Sequence, residues 1–314
     1  MNFKKTLKII LPLLLGGFLI WYSLNIVSPQ ELATYFKNAN YWWIALGLFF
    51  GVLSHLSRAY RWKYLLEPMG YQPKFINSAL AVLVAYLMNI FLPRAGEVTR
   101  AAVMANYEKI PFEKGFGTIV AERIADMMMM LIIISITLFI QFDFIYELLA
   151  KDFNPTKIII SVTGFISLLL LFILYIKKGK SKFALKVKTF LLGLKEGVTS
   201  ILKMKHKWSF IFHTVFIWAM YIAMFWATIP AVEGLEVPIG GILIGFIAGG
   251  FSIAATNGGV GLYPVAVAGA LALFGIDKIT GNAFGWIMWT TQTAMIIVFG
   301  GLAFLLLPIY NKNT

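Results

Sequence analysis

The chain contains no cysteine, only 3 histidines and only 14 acidic residues in 314. Without thiols there is no disulfide scaffold, no thiolate nucleophile, no iron–sulfur ligand and no thiolate zinc site. His55, His206 and His213 lack ligand spacing with acids, so no metal and no cofactor is expected. Charge of either sign is scarce, at 13% of residues where soluble domains carry about 25%. That scarcity excludes an ordinary soluble domain.

What is present is apolar: 60% hydrophobic, 16% aromatic, with a mean hydropathy of +0.81. A larger core cannot absorb this excess, because surface grows with mass and something must cover it. Lipid is the remaining solvent. The expected fold is an all-α, polytopic transmembrane helical bundle.

Six stretches are apolar enough to cross about 30 Å of hydrocarbon at about 1.5 Å per residue. They are 9–27, 41–57, 117–140, 157–176, 209–229 and 283–307. The first follows Lys4, Lys5 and Lys8, yet it is long for a signal-peptide core and no small-x-small site follows Tyr22; an uncleaved span is expected. Two further regions are broken in the middle. Residues 76–92 and 95–106 are separated by Pro93-Arg94, and residues 239–255 and 262–275 by Thr256-Asn257-Gly258-Gly259. Each arm is short for a span, and open backbone at membrane depth survives only beside protein or water. Both read as re-entrant helical hairpins; four tilted spans with tight turns are the alternative.

The net charge is +13. Ten lysines between Lys177 and Lys207 face one acid, Glu196, and no arginine. That pattern suits a membrane-side loop and not a nucleic-acid surface. Phe183, Val187, Phe190, Leu191, Leu194, Val198, Ile201 and Leu202 share one helical face there, as expected of an interfacial helix attracting anionic lipid. With both termini cytoplasmic, twenty basic residues fall inside and only Lys37, Lys151, Lys157 and Lys278 outside. The expected location is a bacterial-type plasma (inner) membrane. The chain reads as one integral membrane domain, 1–314, with halves 1–176 and 208–314 around the basic loop 177–207. In this topology the hairpins enter from opposite sides, the pattern of an inverted-repeat transporter with its site near the midplane.

Ionisable groups at membrane depth persist when paired or functional. Arg58 and Arg61 end the second span; Arg94, Glu97 and Arg100 follow Pro93 at three-residue spacing; Glu122, Arg123 and Asp126 open the next long helix. Converging, the five arginines would form a phosphate site, since the guanidinium fork binds phosphate bidentately, with Glu97, Glu122 and Asp126 as orienting or coupling acids. Alternatively Arg58 and Arg61 snorkel to headgroups and Arg123–Asp126 is a helix salt bridge. Gly258-Gly259-Val260-Gly261 lacks the lysine and hydroxyl of a P-loop, so close packing or backbone contact with substrate explains it better.

At these residues the chain resembles the transmembrane, flippase-like region of lysylphosphatidylglycerol synthases. The matching pieces are Arg58-x-x-Arg61-Trp62-x-x-Leu65-Leu66, Asn89-x-x-Leu92-Pro93-x-x-Gly96-Glu97-x-x-Arg100, Glu122-Arg123-Ile124-x-Asp126 and Gly258-Gly259-Val260-Gly261. Asn89, Pro93, Gly96, Asn257, Gly258, Gly259 and Gly261 would form the hairpin tips. Asn257 and Pro264 stand where the family often has a proline and an acid. Only Asn311–Thr314 follow the last span, so the soluble synthase domain is expected to be absent and lipid synthesis is not implied. The resemblance implies movement of a phospholipid, or another phosphate-bearing lipid, between leaflets. The alternatives are an intramembrane enzyme acting on a lipid headgroup and an accessory subunit docking partners or anionic lipid. The expected partners are membrane lipids, anionic phospholipid foremost, and an oligomer is compatible with the sequence.

Overall fold

The computed structural model describes residues 3–92, 95–150, 203–256 and 258–312, with scattered residues between 163 and 201. It divides into two compact units: Met1–Glu122 with Trp208–Thr314, and Arg123–Lys207. The elements described are helical, as the composition demands.

The first unit opens with α1 (Phe3–Ile26), α2 (Pro29–Asn38) and α3 (Tyr41–Leu66). Ser28 caps α2 in a reciprocal box with Glu31, and Asn40 caps α3 through the Trp42 amide. These caps satisfy orphan helix-end amides and set the bend of 85° between α2 and α3. Next come α4 (Phe75–Phe91) and α5 (Ala95–Tyr107), then α6 (Phe112–Ile140), which runs through the boundary between the units, and α7 (Phe142–Ala150) in the second. The first unit resumes with α8 (Lys207–Thr228), α9 (Ile239–Ala255), α10 (Leu262–Ala272) and α11 (Lys278–Tyr310).

Among the described residues, three helices are long and apolar enough to cross a membrane: α6, α8 with the 3₁₀ turn to Ala231, and α11; the bent α2–α3 pair is a fourth candidate. The expected span 157–176 and the basic helix 183–202 lie largely outside the described residues. The helical core contains Phe225, Val267, Leu271, Phe284 and Ile287, all buried, with Phe225 edge-on to Phe284.

Helix α11 organises the rest of this unit. Its C-terminal half receives α4: the amides of Asn77 and Asn311 pair reciprocally at 2.9 and 2.8 Å, and Gly300 lies beneath Leu87. Its N-terminal half receives α10: Gly281 meets Ala268 and Gly285 meets Pro264. Thus α4–α5 and α9–α10, the two broken regions of the sequence, approach the middle of α11 from opposite ends. The breaks themselves include Pro93, Arg94 and Asn257, which lie outside the described residues.

Candidate functional site

The first hairpin is held shut by its own motif. Asn89, near the end of α4, accepts the Gly96 amide hydrogen at 2.8 Å through Oδ1. This caps α5 from across the break, satisfying a donor that helix geometry leaves orphaned. Gly96 is there for closeness: a Cβ would strike the Ala85 carbonyl oxygen and the Asn89 amide. The seven-residue spacing from Asn89 to Gly96 is therefore the length of this staple. It sets the first turn of α5, and with it Glu97 and Arg100.

Arg100 points back into the unit. Its guanidinium lies flat on Trp62 of α3, with Cζ 3.7 Å from the ring centroid. Its Nη1 donates to Oε2 of Glu122 on α6. The other oxygen of that carboxylate, Oε1, lies 3.6 Å from Nε of Arg61. Arg61 also donates from Nη1 to the Thr214 hydroxyl of α8 at 3.0 Å and faces the Phe210 ring at 5.3 Å. Trp62 is itself fixed, donating from Nε1 to Thr118 at 2.8 Å, and Thr118 donates to the Gly115 carbonyl at 2.7 Å.

One carboxylate thus joins two guanidiniums from different helices, and all three are withdrawn from solvent: Arg61 0%, Glu122 1% and Arg100 4% exposed. Arg58, one turn before Arg61 on α3, is also buried and acts electrostatically on Glu122. Burial of this depth removes the snorkelling alternative for Arg61. A buried charge is tolerated only when paired and hydrogen-bonded, and aromatic faces on Arg61 and Arg100 lower the cost further.

The convergence differs in its details from the spacing in the sequence. The acid on Arg100 is Glu122, twenty-two positions away and on another helix. Arg123 and Asp126 belong to the second unit, where Arg123 is exposed and Asp126 buried on the same helix. Arg94 lies outside the described residues. Three participants carried no assigned role in the sequence: Trp62, Thr118 and Thr214. Trp62 had a signal, its place directly after Arg61. The two threonines are single hydroxyls in apolar runs and had none.

The second hairpin is built otherwise. Gly258, Gly259 and Gly261 all have positive φ, from 68° to 81°. Trp289 of α11 donates from Nε1 to the Gly258 carbonyl at 2.8 Å. A Cβ on Gly261 would come within 2.6 Å of the Ile20 amide nitrogen of α1. This tip is fitted against the backbone of α1 and the Trp289 side chain of α11, and carries no charge of its own.

The sequence profile of the lysylphosphatidylglycerol synthase TM region matches residues 9–309. The chain belongs to this family. It is an integral membrane protein. A UPF0104 membrane protein of Methanocaldococcus jannaschii is 28% identical over 129 residues, 40% of this chain and 38% of the relative. Glycosyltransferase AglD of Haloferax volcanii is 27% identical over 103 residues, 32% of this chain and 16% of the relative. The chain therefore spans well under half the length of either curated relative in these matches. No solved structure matches the chain.

Proposed function

We propose that this protein moves a phospholipid, or another phosphate-bearing lipid, between the leaflets of a bacterial-type plasma membrane. The observation that carries the reading is the buried Arg61–Glu122–Arg100 group. With Arg58 the cluster holds three guanidiniums and one carboxylate, a surplus of two positive charges. A phosphodiester bears one negative charge and offers the oxygen geometry that guanidinium forks grip. Glu122 orients two arginines that would otherwise repel, so that a phosphate meets them already in place.

The opposed hairpins on α11 support an inverted-repeat arrangement, in which two broken elements flank a site and exchange access between the two sides. On this reading the pair α4–α5 enters from the cytoplasm and α9–α10 from outside. Enzymatic attack on the headgroup would need a free base, and both oxygens of Glu122 already face guanidinium groups.

The test is reconstitution into proteoliposomes with labelled anionic and zwitterionic phospholipids on one leaflet, followed by analysis of the recovered lipid. The expected result is exchange between leaflets with headgroups unchanged. An altered headgroup would make the protein an enzyme, and no exchange above protein-free vesicles would remove the transport reading.

A further inference from the structure

Helix α11 carries polar side chains at the depth where a membrane helix tolerates them least. Gln292 and Thr293 are the fifteenth and sixteenth of its 33 residues, so they stand at its middle. Both are partly exposed, whereas Ile287 and Met288 before them and Met295 after them are buried. Hydrocarbon offers no partner to such groups, and at this depth they persist beside protein or a water-filled opening.

The side of the helix they occupy decides what they face. Gly285, Trp289, Gln292, Thr293, Ile296 and Gly300 recur at the three- and four-residue spacing of a single helix face. Gly285 seats Pro264 of α10, and Gly300 seats Leu87 of α4. Fifteen residues, about 22 Å of helical rise, separate these two seats. From the second hairpin, the Gly258 carbonyl accepts from Trp289, and the Tyr263 hydroxyl hydrogen-bonds the Gln292 side chain. From the first, Leu83 and Tyr86 of α4 share an apolar cavity with Ile296. Gln292 and Thr293 therefore fill the interval in which one hairpin gives way to the other. A Cβ on Gly258 would meet nothing within 4 Å, so the second tip borders open space. The opposite side of α11 is the lipid-facing one, with Val298 55% and Leu305 62% exposed.

We infer that the Gln292–Thr293 face of α11 is a hydrated contact point for the headgroup oxygens of a lipid crossing the middle of the membrane. The inference rests on the translocation reading and adds the place where the headgroup passes between the hairpins. An amide and a hydroxyl each donate and accept, so they replace water around phosphate or hydroxyl oxygens. Neither carries charge, and a contact along a path must be weak enough to release what it binds. Polar residues also join membrane helices of two copies, but this pair lies on the side that the chain's own hairpins occupy.

The chain contains no cysteine, which suits a thiol-accessibility test. Thr293→Cys in proteoliposomes is treated with a charged, water-soluble methanethiosulfonate, with Val298→Cys and Leu305→Cys as lipid-facing references. Modification at position 293 is expected to be at least tenfold faster than at either reference. Dihexanoyl phosphatidylglycerol, below its micellar concentration, slows it at least threefold. Gln292→Cys serves the same purpose should Thr293→Cys not fold. Thr293→Val slows lipid exchange at least fivefold, and Thr293→Ser restores it. Modification no faster than at the references, equal protection by inorganic phosphate, absence of protection by the lipid, or undiminished exchange in Thr293→Val each overturns the inference. Fast, lipid-protected modification in a protein whose wild type moves no lipid upholds the contact point and removes the translocation reading alone.

Discussion

The two hairpins approach one helix from opposite ends, yet they are made of different chemistry. The first, α4–α5, is closed by an amide hydrogen bond from Gly96 to Asn89 and delivers Arg100 to a shared carboxylate. The second, α9–α10, is closed by three glycines in left-handed backbone and delivers nothing charged. One is built to place charge, the other to bring backbone close to α1 and α11. The two hairpins therefore differ in what they deliver: only the first contributes to the ionic site.

Removing the charge partner should break the first hairpin's role most severely. Glu122→Leu leaves Arg61 and Arg100 buried without their carboxylate, which should cost about 3–5 kcal/mol. Thermal unfolding in detergent measures this, and a loss under about 1 kcal/mol would mean that other groups hold the arginines. In the second hairpin the corresponding weak point is Gly261. Gly261→Ala adds a Cβ at φ 68° and 2.6 Å from the Ile20 nitrogen, so it should cost more than Gly258→Ala, which faces open space at φ 70°. Backbone strain alone predicts about 1–2 kcal/mol for the latter. Equal losses at the two glycines would show that contact with α1 contributes nothing.

Asn89→Ala should cost about 0.5–2 kcal/mol, the usual range for losing an N-cap side chain. It should also slow lipid movement, since the cap sets the start of α5 and the direction of Arg100. The counterpart, Trp289→Phe, removes one hydrogen bond to Gly258 and should cost about 0.5–1.5 kcal/mol with little effect on the arginine site. If Trp289→Phe impaired transport as strongly as Asn89→Ala, the division of labour between the hairpins would fail.

The smallest effect belongs to Asp277, which caps the start of α11 and so supports both hairpins. Hydrogen bonds from the side chain and amide of Thr280 and the amide of Ile279 hold its carboxyl below the usual aspartate range. A lowered folded-state value means that its stabilisation is full above the unfolded value near 3.9 and disappears as pH falls through the folded one. Asp277→Asn should therefore lose about 0.3–1 kcal/mol at neutral pH and flatten the stability profile below about pH 4. An unchanged acid limb would place the titration elsewhere.

Composition and hydropathy were enough to read an all-helical membrane protein, because lipid exposure dictates which residues can face outward. The two breaks were legible for the same reason, since Pro93 and the Gly258–Gly261 run cannot continue a helix. The identity of the arginine site was legible only in part. Arg61, Arg100 and Glu122 were marked by being ionisable where charge is costly. Their pairing was not, because i to i+3 spacing offers Glu97 to Arg100, whereas it is the fold that brings Arg100 of α5 to Trp62 of α3 and Glu122 of α6. Thr118 and Thr214 became participants only through tertiary contact, and nothing local to them signals it.

The central claim is that guanidinium forks, held by Glu122, grip a lipid phosphate. It is tested most directly by phosphatidylglycerol exchange between leaflets in proteoliposomes of wild type and of Arg61→Lys/Arg100→Lys. Lysine keeps both charges near Glu122 but cannot form two parallel hydrogen bonds to one phosphate or lie flat on Trp62. The account predicts at least a tenfold slower rate for the double variant at equal protein content and comparable thermal stability. Exchange at the wild-type rate would contradict it.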